Sequence, residues 1–562
     1  MICRAMSING KACRNGPLGY GEDAHSVGRE PAALHPGLLA TVLLGILRGV
    51  LSLGLALGFA SCQGSAEQAP DMSSACLDIP PTGRCLDRQT LATCVVGANG
   101  EPSLVQNTCA AGYTCVSAGD ESSCKLTSTC REGQTRCSST SVQQVCQGGV
   151  FQDRTCLGGI ECRTFPGLGG SCILPGSEVT AQGTLHYERR QPNASLSGYT
   201  APTATAAAGV FIALVDGSEV LGSGFSNEQG QFTISGYRTP GAGGQVLYIP
   251  LAFFPDDGPA YGVAIPNDGA TSTAPAMWSF STSNLPAPQA GVIPVGTQII
   301  RAENSGAMHI FSWLRTHLAR AATVLGSAQT SSVAVLWKPG VDSYCLACFL
   351  NRTSGGTDVG GGLLPLHFDT TILLSGSDEN PLQWSSSIIN HEIGHFVMDQ
   401  YSRPPGEVGI HYLSAPESPG LAFSEGYATW DGQAALSAEQ PAPNPIYFAV
   451  QQGTAFYIDI SSAMASSGMI PLPDPRGSID QQIGEIAVAS IAWDLWSNGG
   501  DIPVLSGITL PRVTSGLNRG YKTIDLVDFA DALLCGGRVS AKQMNSSMSK
   551  YGFPWDNQPL CP

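Results

Sequence analysis

The sequence predicts a multidomain chain: disulfide-rich repeats, then a small β-sandwich, then an α+β domain organised around one buried helix. Three observations predict it. Twelve cysteines crowd between Cys76 and Cys172 in a spacing that repeats, and short runs of alternating apolar and polar residues follow them. Further on, a His-Glu-x-x-His sequence at residues 391–395 stands in a stretch of helical periodicity.

The bulk composition narrows the function classes. A length of 562 residues suits several domains, each able to bury a core. With 44 acidic against 28 basic residues the formal net charge is -16, which repels polyphosphate and leaves nucleic acid out as a partner. The 68 glycines and 38 prolines are scattered in short runs, so they indicate turn-rich β structure and exclude collagen. Nineteen cysteines are hard to keep unpaired unless the compartment is reducing, so the chain is expected to be exported.

Residues 1–61 read as a signal region, of which 1–45 fit no ordinary signal peptide and suggest an over-extended start, leaving Cys3 and Cys13 without function. An apolar run at 37–60 is interrupted by Arg48. That charge acts as the n-region, and Gly49 to Phe59 form the h-region. Ala60-Ser61-Cys62 resembles a bacterial lipobox. The resemblance implies lipidation at Cys62, hence a membrane partner through a lipid anchor. Gln63 resembles the residue that follows in outer-membrane lipoproteins, so the expected location is the outer membrane or cell surface. A plain transmembrane anchor is the alternative, with Arg48 at its costly centre. Either way the rest of the chain is outside the cytoplasm.

After a linker at 62–75 come two repeats, 76–125 and 126–174. Cys76, Cys85, Cys94, Cys109, Cys115 and Cys124 are matched in order by Cys130, Cys137, Cys146, Cys156, Cys162 and Cys172. The flanks agree too: Gly83-Arg84-Cys85 with Thr135-Arg136-Cys137, and Thr108-Cys109 with Thr155-Cys156. Units this small bury too little apolar surface unaided, so three disulfides per copy are expected to replace a core. Zinc is the competing explanation, but no Cys-x2-Cys pair occurs in the repeats and export disfavours thiolates. The pairing itself stays open. The repeats read as a protease-resistant stalk, or as a module for a surface partner.

Residues 175–305 alternate in short runs at Gly183 to Tyr187, Gly209 to Val215, Glu219 to Phe225 and Gly230 to Ile234. Turns at Asp216-Gly217 and Asn227 to Gly230 separate them, which predicts hairpins of a small sandwich. Val210 to Ile234 resembles transthyretin-like or carboxypeptidase-regulatory-like domains, where Gly-x-Phe opens a buried strand. A spacer without a ligand is the expected role.

Residues 306–562 carry the chemistry. A chance His-Glu-x-x-His is expected about once in two hundred chains of this composition. Ile388, Ile389, Phe396 and Val397 fall at helical spacings within Ser385 to Tyr401, with Ser385 or Ser386 as N-cap. Residues four apart share a helical face, so His391 and His395 can point two imidazoles at one metal with Glu392 alongside. A catalytic zinc takes three protein ligands and keeps one position open. The third candidate is Glu425, in Leu421-Ala-Phe-Ser-Glu-Gly-Tyr-Ala-Thr-Trp430, a second helix after a Pro/Gly-rich loop.

His391 to His395 with Glu425 resembles a gluzincin, the zinc peptidase group that holds thermolysin and fungalysin. Gly409-Ile-His411 upstream of Ser424-Glu-Gly-Tyr-Ala428 is similar to exported bacterial gluzincin-like proteins, and Gly484-Glu485 to Asp494-Leu495 resembles a helix that follows in several gluzincins. The resemblance covers roughly Ala307 to Pro562. It implies an α+β zincin-like (gluzincin) catalytic domain with one catalytic zinc, whose sheet includes strands at Val333 to Leu336 and Thr370 to Leu374.

Thermolysin-like enzymes place an aspartate four residues after the ligand glutamate to support a zinc histidine. Here that residue is Thr429, and Asp431 falls off that face, so Asp494 becomes the candidate support. His411 and Tyr427 are the candidates for oxyanion stabilisation. With zinc bound, water loses its proton near pH 7, Glu392 takes that proton, and the leaving amine receives it, so the expected function is endopeptidase action on a protein or peptide substrate. The alternative is a catalytically decayed zinc-binding surface lipoprotein acting as an adhesin through its repeats. Cys345 and Cys348 are expected to form a local disulfide, and Cys535 to pair with Cys561. Loops Ser402 to Pro419 and Ala438 to Pro445 shape the cleft.

Overall fold

Each cysteine-rich repeat folds as a three-stranded antiparallel sheet followed by a two-stranded one. In the first copy these are Arg84–Cys85, Thr90–Val96 and Pro102–Thr108, then Tyr113–Ala118 with Glu121–Leu126. The second copy repeats the plan with Thr135–Ser139, Val142–Gln147 and Val150–Thr155, then Glu161–Phe165 with Gly169–Ile173. The structure is a computed structural model that describes residues 84–555 apart from loop stretches, the longest being 268–274, 470–482 and 506–523. The signal region, Cys62, the linker, Cys76 and Cys561 lie outside the described residues, as does most of the loop 402–419.

Disulfides stand where a larger domain would have its core. Cys130 pairs with Cys146, Cys137 with Cys162 and Cys156 with Cys172, and four of these six cysteines, Cys130, Cys146, Cys156 and Cys162, are buried. Counted within the copy, the pairing is first with third, second with fifth, fourth with sixth. Cys85–Cys115 is the second-with-fifth bond of the first copy. Cys345–Cys348 forms the expected local bond, and Cys535 is also disulfide-bonded.

The second repeat is docked on the next layer. Ser223 Oγ donates to the Pro166 carbonyl at 2.7 Å, and the Arg163 guanidinium lies over the Tyr237 ring. Gly167, at φ +74°, lets the turn approach so closely that a Cβ there would fall 2.7 Å from the Phe253 ring.

Two four-stranded sheets follow. Ser177–Arg189 pairs antiparallel with Thr203–Ala206 and Gln231–Arg238, and parallel with Val292–Ile300. Phe211–Asp216 lies between Glu219–Phe225 and Gln245–Ile249, with Phe280–Thr282 beyond. The positive-φ glycines Gly217 and Gly230 sit in the two expected turns. Ile212 and Leu214 share a core with Leu185, Tyr187, Phe232 and Ile234 of the other sheet. Phe211, Ala213 and Val215, on the opposite face, are buried in a second cluster with Ala334, Leu366 and Phe368. That second cluster makes this sheet a shared layer rather than an isolated spacer.

The third sheet carries the functional region. Its strand order is Leu251–Phe253, Pro259–Ile265, Val333–Leu336, Thr370–Leu374 and Ala347–Leu350. Val333–Leu336 runs parallel to both neighbours, Pro259–Ile265 and Thr370–Leu374. Parallel strands buried on both faces read as continuous apolar runs, as Val333-Ala-Val-Leu336 does. Val333–Leu336 and Thr370–Leu374 lie where the sequence predicts them, but Pro259–Ile265 comes from ahead of residue 306. The expected boundary at 305/306 therefore cuts through a hydrogen-bonded sheet. Around it lie helices Gly306–Leu325, Ser386–Tyr401, Pro419–Ala438, Glu485–Gly499, Leu526–Cys535 and Ala541–Lys550, which share one large apolar core with the first sheets. Among the described residues no helix is long and apolar enough to cross a membrane.

Candidate metal centre

The helix Ser386–Tyr401, here called the motif helix, starts at Ser385, whose Oγ accepts from the Ile388 N–H at 3.3 Å and donates to the Phe448 carbonyl at 2.7 Å. Ile388, Ile389, Ile393, Phe396 and Val397 are buried, which anchors the helix and fixes its rotation. The helix Pro419–Ala438, the glutamate helix, packs against it so closely that one position has no room for a side chain. A Cβ on Gly432 would lie 2.9 Å from the Asn390 carbonyl carbon and the His391 nitrogen. On the other flank, a Cβ on Gly426 would lie 2.4 Å from the Glu485 carbonyl oxygen, so glycine lets the helix Glu485–Gly499 close in as well.

This packing brings three donors together. Glu425 Oε2 lies 3.2 Å from His391 Nε2 and 3.2 Å from His395 Nε2, and the two imidazole nitrogens are 3.1 Å apart. All three residues are nearly buried, and together they form a group able to hold a metal ion. The remaining ring nitrogens are backed by hydroxyls: His391 Nδ1 lies 3.0 Å from Thr429 Oγ1, and His395 Nδ1 lies 3.4 Å from Ser424 Oγ. Such backing orients each ring with Nε2 toward the shared point.

The electrostatics follow from burial and these neighbours. Burial pushes the Glu392 carboxyl up to about 7, against the pull of His395, while its oxygens accept a hydrogen bond from the Phe349 backbone. Burial would raise Glu425 as well, but His395, His411 and the hydrogen bonds from both motif histidines hold it well below the usual carboxylate range. Phe349 belongs to the edge strand Ala347–Leu350, and its ring stacks on His395 with centroids 6.4 Å apart. The sheet edge is thereby fixed beside the motif helix.

His411 arrives from the intervening loop. Its Nδ1 lies 2.7 Å from Glu485 Oε2 and its Nε2 3.5 Å from Glu425 Oε2, and these two carboxylates outweigh burial and lift its pKa to about 10. The loop is held by paired backbone bonds between Glu417 and Ile483, two residues ahead of Glu485. His411, Glu425 and Glu485 form a second donor group that shares Glu425 with the first.

Two expected site residues lie elsewhere. Asp494 accepts from Ser547 Oγ at 2.6 Å and from Lys550 Nζ at 2.7 Å, so it ties the helix Glu485–Gly499 to Ala541–Lys550 instead of backing a histidine. Thr429 takes that role because a hydroxyl suffices at 3.0 Å. Tyr427 is a core residue, its ring packed against Phe423, Trp430 and Phe529. The phenol near the donors is Tyr447 of the strand Ile446–Gln451. Its ring is 6.4 Å from that of His391, and burial together with the nearby Glu392 charge raises its pKa well above 10. Sequence reasoning missed Glu485, Ser424, Phe349 and Tyr447 as site residues. Glu485 had a signal in the Gly-Glu start of its helix, whereas a single tyrosine in a short strand had none.

No protein-family model matches the chain, and no curated protein matches it. Among solved structures it is similar to a 9R-lipoxygenase from Cyanothece PCC8801, at 10% identity and a TM-score of 0.14, over 26% of this chain and 24% of that one. The match spans about a quarter of that structure's length, and at so low a score it says nothing about fold or chemistry.

Proposed function

We propose that the protein is an exported, zinc-dependent endopeptidase, lipid-anchored through Cys62, whose C-terminal region has an α+β zincin-like (gluzincin) architecture. One observation carries the reading: two helices bring His391, His395 and Glu425 to one point, with the buried carboxyl of Glu392 on the same helix as both imidazoles. Two imidazole nitrogens and one carboxylate oxygen, each ring backed by a hydroxyl, are the donor chemistry that suits zinc and leave a fourth position for water. The disulfides fit an oxidising setting.

A bound zinc would supply Lewis acidity, acidifying water and polarising the scissile carbonyl. The protein residues do the rest. Glu392, poised near neutrality, accepts the proton of the attacking water and returns it to the leaving amine. His411, oriented by Glu485, and Tyr447 are the donors available to the oxyanion. The edge strand Ala347–Leu350, beside Glu392 and His395, offers backbone groups on which an extended peptide can lie.

The test compares metal content with hydrolysis of a quenched peptide in two variants. Glu392→Gln should keep its zinc and lose about 10²–10⁴ in turnover, since a base but no ligand is removed. His395→Ala should lose both. A Glu392→Gln protein as active as the parent would rule the mechanism out.

A further inference from the structure

A second polar cluster is buried among three helices next to the metal donors. His317 and Arg320 come from Gly306–Leu325, Asn390 from the motif helix and Asp431 from the glutamate helix; His317, Asn390 and Asp431 are fully buried. Arg320 Nη1 donates to Asp431 Oδ1 at 2.7 Å, and His317 Nε2 lies 2.9 Å from Asp431 Oδ2. His317 Nδ1 lies 3.1 Å from Asn390 Oδ1.

The hydrogen-bond pattern fixes the protons. Asn390 Nδ2 donates to the Ser386 carbonyl at 2.8 Å, so the amide oxygen must face His317, and a carbonyl oxygen only accepts. His317 Nδ1 is therefore a donor. Asp431 is ionised, because the Arg320 guanidinium, which stays charged, donates to its Oδ1 at 2.7 Å. An ionised carboxylate also only accepts, so Nε2 donates too, and the ring carries both protons.

We infer that His317 is a positioning residue for the metal centre: as a doubly protonated ring it bridges Asn390, the residue before His391, and Asp431, two residues beyond Thr429, and so sets how the two ligand-bearing helices face each other. Two charge-assisted bonds add a directional constraint to the apolar packing between these helices. A shift of that kind would move His391 relative to both Glu425 and Thr429. The role rests on the reading of His391, His395 and Glu425 as ligands.

The test uses the full chain labelled with ¹⁵N-histidine, and zinc affinity measured by chelator competition. Both ring nitrogens of His317 should show protonated shifts with and without zinc. His317→Gln should weaken zinc about tenfold or more, as loss of a supporting partner does at metal sites. Leu318→Ala, a buried apolar change on the same helix, should lower Tm but leave zinc affinity within about twofold. The inference falls if His317 has one unprotonated ring nitrogen, or if the two variants lose zinc affinity in step with Tm. A parent that binds no zinc would overturn the metal reading first and the positioning role with it.

Discussion

A hydroxyl rather than a carboxylate backs His391, and that choice sets the charge of the site. Thr429 and Ser424 add no negative charge beside the imidazoles, so of the three ligand residues only Glu425 would bring a negative charge to a bound dication. The two histidines and Glu392 were legible in the sequence because helical spacing makes them neighbours before any tertiary contact forms, whereas Glu425, on a second helix, was legible from its Ser-Glu-Gly-Tyr-Ala setting and reaches them by packing. Tyr447 and Phe349 were not, since each reaches the site only through packing of a distant segment. Glu392 yields a prediction with a definite sign. Its carboxyl stands near 7 in the metal-free protein against an ordinary 4.5, and it must be ionised to accept a proton, so kcat/KM falls as pH drops through its pKa. A zinc dication beside it favours the ionised form, so the acid limb of the holoenzyme should lie below 7. The apoprotein should show the opposite trend from this group. A carboxyl raised on folding stabilises the fold while protonated, so its contribution is present below about 4.5 and is lost as pH rises through about 7. A pH–rate profile with no acid limb between about 4.5 and 7 would remove Glu392 as the base.

At the level of elements, duplication is the most readable feature and also the most testable. Equal cysteine order and equal strand plan mean that the two repeats solve one packing problem twice, and Cys85–Cys115 already occupies the place of Cys137–Cys162. Equivalence then predicts the rest of the first copy: Cys76 with Cys94, and Cys109 with Cys124. Cys109 is disulfide-bonded, as this requires. Non-reducing peptide mapping should find both bonds, and any bond crossing between copies would break the equivalence. The helices were legible where a cap or a motif marked them, as at Ser385, and the strands where a hairpin turn carried glycine, as at Gly217 and Gly230. What stayed hidden were the close approaches at Gly426 and Gly432. A glycine within a helix reads as a weak spot in sequence and shows its use only against the neighbour it admits.

On the scale of the whole molecule, the third sheet decides what can be separated from what. A reading by motif places the boundary just before the helix Gly306–Leu325, yet Val333–Leu336 has Pro259–Ile265 as one of its two partners, and that strand precedes the helix. Non-local pairing of this kind leaves no periodic trace, which is why the boundary could not be read from composition. Removing residues ahead of 306 would strip one partner from Val333–Leu336, whose Val333, Ala334 and Val335 are almost fully buried, and bare the apolar edge of a central parallel strand. The second cluster would open too, since Phe211, Ala213 and Val215 cover Ala334 and Phe368. A fragment spanning 306–562 should therefore be insoluble or bind no zinc, although it contains every proposed ligand. A fragment spanning 177–562 keeps both partners and both clusters, and should bind one zinc with the parent's affinity. Equal zinc binding by the two fragments would show that the shared sheet is dispensable and that the metal centre folds on its own.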